Sequence, residues 1–163
     1  MTDKDKLPMT LAIRELQKEG ISFTSHLYPY EEKGGTAVSS KALGVPENIV
    51  IKTLIMESDD KSPLIVLMHG DMQVSTKQLA RELGVKTISP CKPEVADRHS
   101  GYQVGGTSPF GTKKKMPIYM EKTILDLERI YINGGKRGYL ISLDPHDVVK
   151  VLKPHLVQVG IKA

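Results

Sequence analysis

The chain has 163 residues, 39% of them hydrophobic and 26% charged, with a net charge of +4 and a sequence pI of about 9.1. That length suits one domain spanning 1–163, burying about 70% of the surface its unfolded chain exposes, and no apolar run approaches the roughly 20 residues needed to cross a bilayer, so no membrane association is expected. The single cysteine, Cys91, excludes an internal disulfide and points to a reducing, cytoplasmic compartment, while the mild positive charge suits an anionic partner without requiring one.

The N-terminal "MTDKDKLPM" alternates charges with no apolar run behind it, so no secretory signal is expected. Residues 8–19 predict a helix, with Pro8 in its first turn and Gly20 at its end. "ISFTSHLY" alternates and predicts a strand, with Ile21, Phe23, Ser25 and Leu27 on one face. A loop, "YEEKGG", leads to a short helix from Thr36 to Gly44 and a turn at "VPEN". Two Ile/Val/Leu-rich runs follow, "NIVIKTLIME" and "PLIVLMHG", separated by "SDDKS"; they read as a strand hairpin. "STKQLARELG" predicts a helix capped by Ser75 and ended by Gly84, and "KPEVADRHSG" another started by Pro93. "PIYME", "RIYING" and "YLISLD" predict strands, with "KTILDLE" a helical turn before the second. "DPHDVVKVLK" predicts a helix capped by Asp144, and "HLVQV" a last strand. Strands and helices mix without a strict βαβ repeat, which predicts an α/β domain with a mixed sheet and flanking helices.

Residues 104–115, "VGGTSPFGTKKK", are the densest glycine stretch. Gly106 and Gly111 have the spacing of a phosphate-binding G-x-x-x-x-G, but Thr112 stands where that motif needs lysine, and Pro109 lacks an amide hydrogen. A nucleotide P-loop is excluded. Two readings remain: a glycine turn followed by a solvated lysine patch, or a loop offering main-chain groups to a small ligand at close range. Lys52, in the middle of an apolar strand, also has two readings: a guard on a strand edge, which is the commoner use, or a cation aimed into a pocket. Val50, Lys52, Leu54 and Met56 share one face of that strand. Tyr28 suits packing or a hydrogen bond to a ligand. "NGGKRG", residues 133–138, suits a plain hairpin turn or an approach to an anion.

There is no nucleophile elbow G-x-S-x-G, and the five histidines show no metal-ligand spacing, so neither a metal nor any other cofactor is expected. Cys91 and His99 lie eight residues apart, which alone does not make a catalytic pair.

In combination, "SF…H-x-Y", "IKTL", "GYQVGGTSPFG" and "GGKRG" resemble the YbaK/EbsC family over about Thr10 to Lys153. These are small aminoacyl-tRNA deacylases related to the editing domain of bacterial prolyl-tRNA synthetases. The resemblance implies an α/β fold with a mixed, barrel-like sheet. It implies a trans-editing activity, most naturally the removal of cysteine mischarged on proline tRNA, with the substrate's own thiol attacking its ester. Carried over residue by residue, it implies a catalytic role for Lys52 and substrate contacts for Tyr28, Thr53, Gly105, Gly106 and Pro109. One departure is Asn133, where the resemblance leads to serine; fine substrate choice does not carry over with the lysine. The implied partner is the acceptor end of an aminoacyl-tRNA, with the prolyl-tRNA synthetase as a second candidate. Lys113, Lys114, Lys115, Lys136 and Arg137 are the candidate RNA contacts. The other reading is a non-catalytic RNA- or synthetase-binding module on the same fold.

Overall fold

The computed structural model describes residues 7–163; the first six residues of "MTDKDKLPM", on which the expectation of no secretory signal partly rests, lie outside them. Five α-helices stand where local signals put them: α1 (Leu11–Lys18), α2 (Gly35–Leu43), α3 (Thr76–Leu83), α4 (Pro93–Ser100) and α5 (Pro145–Leu152). Ser75 caps α3 by accepting from the Gln78 amide, and Asp144 caps α5 by accepting from His146. Each satisfies an amide that the helix itself leaves orphaned. Gly44, Gly84 and Gly101 end α2, α3 and α4 in the left-handed region, which glycine enters without a Cβ penalty. The first helix is shorter than predicted. Thr10, not Pro8, is its boundary, because the Thr10 hydroxyl accepts from the Ile13 amide.

The apolar runs form β2 (Val50–Ser58) and β3 (Pro63–His69), an antiparallel hairpin as expected. Around it lie β1 (Thr24–Leu27), β5 (Ile88–Pro90), β6 (Ile118–Glu121), β7 (Ile130–Lys136), β8 (Tyr139–Leu143) and β9 (His155–Val157). The order is β1-β8-β7-β2-β3-β6-β9, with β5 paired to β2 beside this path. The β2–β7, β3–β6 and β6–β9 pairs are parallel and the others antiparallel, so the sheet is mixed, as predicted. Two short strands, β4 (Met72–Val74) and β10 (Gly160–Lys162), form a separate antiparallel pair.

Both faces of the central hairpin are covered, which is why its sequence is apolar without alternation. Ile51, Ile55, Ile65 and Leu67 enter the larger core with Phe110, Ile132 and Ile141. Met56, Leu64, Val66 and Met68 enter a second core with Leu79 and Ala80 of α3. The strand predicted over 21–28 is only four residues long, and Leu27 is exposed rather than packed. Ile21 and Phe23 still reach the larger core, but from outside the ladder.

Candidate active site

The ladder on β2 is interrupted on one side. β7 pairs with Val50 and Ile51, and β5 with Met56 to Ser58; between them no strand lies against β2. Ile55 O accepts from the Cys91 amide, so it faces away from β3. In an antiparallel ladder the direction alternates, which turns the Thr53 N–H and C=O toward the same gap. A cavity of about 810 Å³ opens there, lined by Lys52 and Thr53 together with Tyr28, Gly105, Asn133 and Arg137. It reaches both faces of β2, because Lys52 and Thr53 point to opposite sides of the strand.

Lys52 is half-buried, and its ammonium donates to the carbonyl of Met72, on β4. Burial lowers its pKa below the ordinary lysine value, and the carboxylates of Glu47 and Asp71 pull partly the other way. Lys52 thus lines the cavity, with its ammonium tied to main chain rather than free in solvent. Thr53 Oγ1 is buried and, among the described residues, is the side-chain polar atom left without a hydrogen bond. Such a group costs free energy unless something else pairs with it.

The glycine loop meets the turn between β7 and β8. The Gly105 carbonyl accepts from Asn133 Nδ2 at 3.2 Å, while Asn133 Oδ1 accepts from the amides of Gly135 and Lys136 at 2.7 and 3.0 Å. Arg137 Nε donates to Val104 O at 3.0 Å, and its guanidinium lies 5.1 Å from the centre of the Tyr30 ring. Gly105 has φ +94°, and a Cβ there would run into the Tyr30 hydroxyl. At Gly106 a Cβ would meet main chain, 2.6 Å from Arg137 N and 2.8 Å from Lys136 C. Both glycines are required by close approach. Asn133, marked in the sequence only as a departure, is the buried link between loop and turn; two of its three hydrogen bonds are local, within the turn, and only the one to Gly105 O is tertiary and without a local signal.

The other candidates are spread more widely. Tyr28 lines the cavity, its amide bonded to Gly138 O at 3.0 Å, and burial, then the neighbouring Tyr30, push its phenol pKa up. Gly106 and Pro109 are buried behind the cavity wall, where Ser108 and Phe110 are fully covered. Of the candidate RNA contacts, Arg137 alone lines the cavity. Lys113 and Lys114 bond through their amides to Ser100 O and His99 O, just past Asp97, the last cavity-lining residue of α4, and Lys136 is exposed.

No histidine lines the cavity among the described residues. Cys91 does line it, but its thiol pKa is pushed up to about 11 by burial first and by Glu57 next, so it is protonated near neutral pH. His99 has its pKa lowered by burial and by the cations Lys114 and Arg98. The cavity thus offers a cation and the Thr53 main-chain N–H, with an unpaired hydroxyl buried behind the same strand residue. Its wall holds no histidine among the described residues; the Thr36 hydroxyl there donates to Glu47 at 2.6 Å, and the Cys91 thiol is held protonated.

An open cavity with a lysine thus sits on a mixed sheet flanked, among the described residues, by five helices. The chain belongs to the aminoacyl-tRNA editing domain family, whose model matches residues 31–151. It is 24% identical over 163 residues to "Putative Cys-tRNA(Pro)/Cys-tRNA(Cys) deacylase EbsC" of Enterococcus faecalis, covering 99% of each chain. It is 36% identical over 115 residues to a proline--tRNA ligase of Thermodesulfovibrio yellowstonii, covering 69% of this chain but 19% of the ligase. Among solved structures, "a putative trans-editing enzyme for prolyl tRNA synthetase" superimposes with a TM-score of 0.80 at 16% identity, covering 94% of this chain and 99% of that one, which establishes the shared fold. Among the described residues no helix is long and apolar enough to cross a membrane.

Proposed function

We propose that this protein is a trans-editing aminoacyl-tRNA deacylase that removes cysteine from mischarged proline tRNA. The observation that carries this reading is the cavity shared by Lys52, Thr53 and the Gly105 loop, in a wall that holds no histidine among the described residues and whose Cys91 thiol is kept protonated. At about 810 Å³ the space is sized for a ligand larger than one amino acid, in keeping with an aminoacyl group still attached to its terminal nucleoside.

The chemistry follows from what the wall supplies. The cysteinyl sulfur attacks its own carbonyl carbon, forming a carbon–sulfur bond and placing negative charge on the carbonyl oxygen. Collapse of that intermediate breaks the bond to the ribose oxygen, which takes up the proton given by the thiol. The products are free tRNA and a cyclic thioester, which water then opens to cysteine. Lys52 and the Thr53 main-chain N–H stabilise the oxyanion; loss of one such donor typically costs about 2.7–4 kcal/mol of transition-state stabilisation. Gly105 and Tyr28 hold the aminoacyl end, and Arg137 meets the incoming strand at the rim. Lys113, Lys114, Lys115 and Lys136 add attraction at longer range. Editing at a second site is needed because a pocket separates near-isosteres such as cysteine and proline only about 10–200-fold. The tRNA's identity is supplied by the synthetase, the second proposed partner.

The test is deacylation of Cys-, Ala- and Pro-tRNA(Pro) by the wild type and by Lys52→Ala. Cysteine should be released and proline kept, with the variant slowed at least a hundredfold. S-methylcysteinyl and seryl esters should persist. Their equal cleavage would replace the substrate thiol by an activated water. Release of no amino acid from any charged tRNA would favour the non-catalytic module.

A further inference from the structure

Beyond the cavity, one part of the surface combines shape with unbalanced charge. α3 and the segment leading into β5 enclose an open groove of about 440 Å³. Lys77 and Arg81 stand one helical turn apart on α3, about 6 Å along its axis, and Lys86 faces them from beyond Gly84. All three are exposed, and among the described residues none forms an ion pair. Arg81 donates only to Gln78 Oε1, at 3.4 Å. The far wall is fixed in advance, because Asp59 Oδ1 accepts from the amides of Lys86 and Thr87 at 3.0 and 3.3 Å. No aromatic side chain lines the groove, so it offers bases no surface to stack on. Cations in a row beside small side chains suit a chain of phosphates.

The position of the groove selects its occupant. Thr76, at the start of α3, lines both the groove and the Lys52 cavity, so one opens beside the other. We infer that the groove carries the sugar-phosphate backbone of the RNA whose 3′ end occupies the Lys52 cavity, with Lys77, Arg81 and Lys86 each meeting a phosphate. This rests on the editing reading and adds to it the direction in which the RNA leaves. The strand runs along α3 rather than over the Lys113–Lys115 patch at the C-terminal end of α4.

The probe is an uncharged RNA hairpin with acceptor-stem pairs and an unpaired CCA end, titrated at several salt concentrations. Replacing Lys77, Arg81 and Lys86 together by alanine should lower the slope of log K against log salt by about 2–2.7, from roughly 0.7–0.9 per phosphate contact, and weaken binding about ten- to hundred-fold at low salt. Lys113→Ala, Lys114→Ala and Lys115→Ala together should change the slope by less than one. The reverse ranking, or a groove triple that keeps its slope, overturns the assignment and leaves the groove to a protein partner. Should the triple variant melt early, Arg81→Glu alone is read in the same way, with a slope lowered by about one or more; an unchanged slope there also overturns it. A wild type that deacylates while the groove variants bind normally sinks the groove and keeps the enzyme. A wild type that binds through the groove but releases no amino acid does the opposite.

Discussion

Gly106→Ala tests how the site is held together. A Cβ at this position would lie 2.6 Å from Arg137 N and 2.8 Å from Lys136 C, both main-chain atoms that cannot swing aside. Restoring ordinary contact at 3.4 Å moves the loop off the β7–β8 turn by about 0.8 Å. That shift stretches the Asn133–Gly105 and Arg137–Val104 hydrogen bonds, now 3.2 and 3.0 Å. Overpacking of this kind costs about 1–3 kcal/mol of stability, and a misplacement near 1 Å can cost about a hundredfold in rate. Urea denaturation should therefore show a lower midpoint at constant slope, and kcat/KM for Cys-tRNA(Pro) should fall on the order of a hundredfold. The mechanism predicts more than instability: the variant should lose activity under conditions where it is fully folded. A variant with stability and turnover both within twofold of wild type would show that the loop does not lean on this turn.

Three further outcomes are expected. Thr53→Val removes an unpaired buried hydroxyl, so the free protein should gain about 1 kcal/mol in denaturation while affinity for an uncleavable cysteinyl-adenosine amide falls; a stability loss would mean the hydroxyl already has a partner. Because the folded state depresses the Lys52 pKa, the unfolded chain holds that proton to higher pH, and stability must rise with pH between the folded pKa and the ordinary value of 10.5. Relative to Lys52→Met, the wild type should accordingly gain stability across that window, and kcat/KM should fall as the ammonium is lost; parallel stability curves would show the lysine to be unperturbed. Asn133→Asp keeps the acceptor for the Gly135 and Lys136 amides but sets a carboxylate against Gly105 O. It should reduce kcat/KM more than it reduces the urea midpoint, and an equal activity would detach Asn133 from the site.

The legible parts of the fold are those encoded locally. Ser75, Asp144 and Pro93 announce their helices within a turn, and the apolar runs over 48–57 and 63–70 reveal a hairpin. Strands β4, β5 and β10 have three residues each, too few for a period to show, and their existence depends on partners far along the chain. The alternation over 21–28 overstates β1 because Ile21 and Phe23 are buried by the core without joining the ladder. In the site, Lys52 stood out because a charge interrupts an apolar strand. Tyr30 and the Asn133 bond to Gly105 did not, since each contact reaches a loop roughly 30 or more residues distant; the Asn133 bonds to Gly135 and Lys136 are local but mark only a turn.

The interrupted ladder has a consequence for solubility as much as for binding. Unpaired strand edges invite other chains to add themselves, and proteins usually blunt them with charge or cover. Here the vacant rungs are walled in by β7 on one side and β5 on the other, a slot too short for a foreign strand. A single carbonyl group fits where a polypeptide does not, so the same interruption leaves room for a small ligand while turning away a foreign strand.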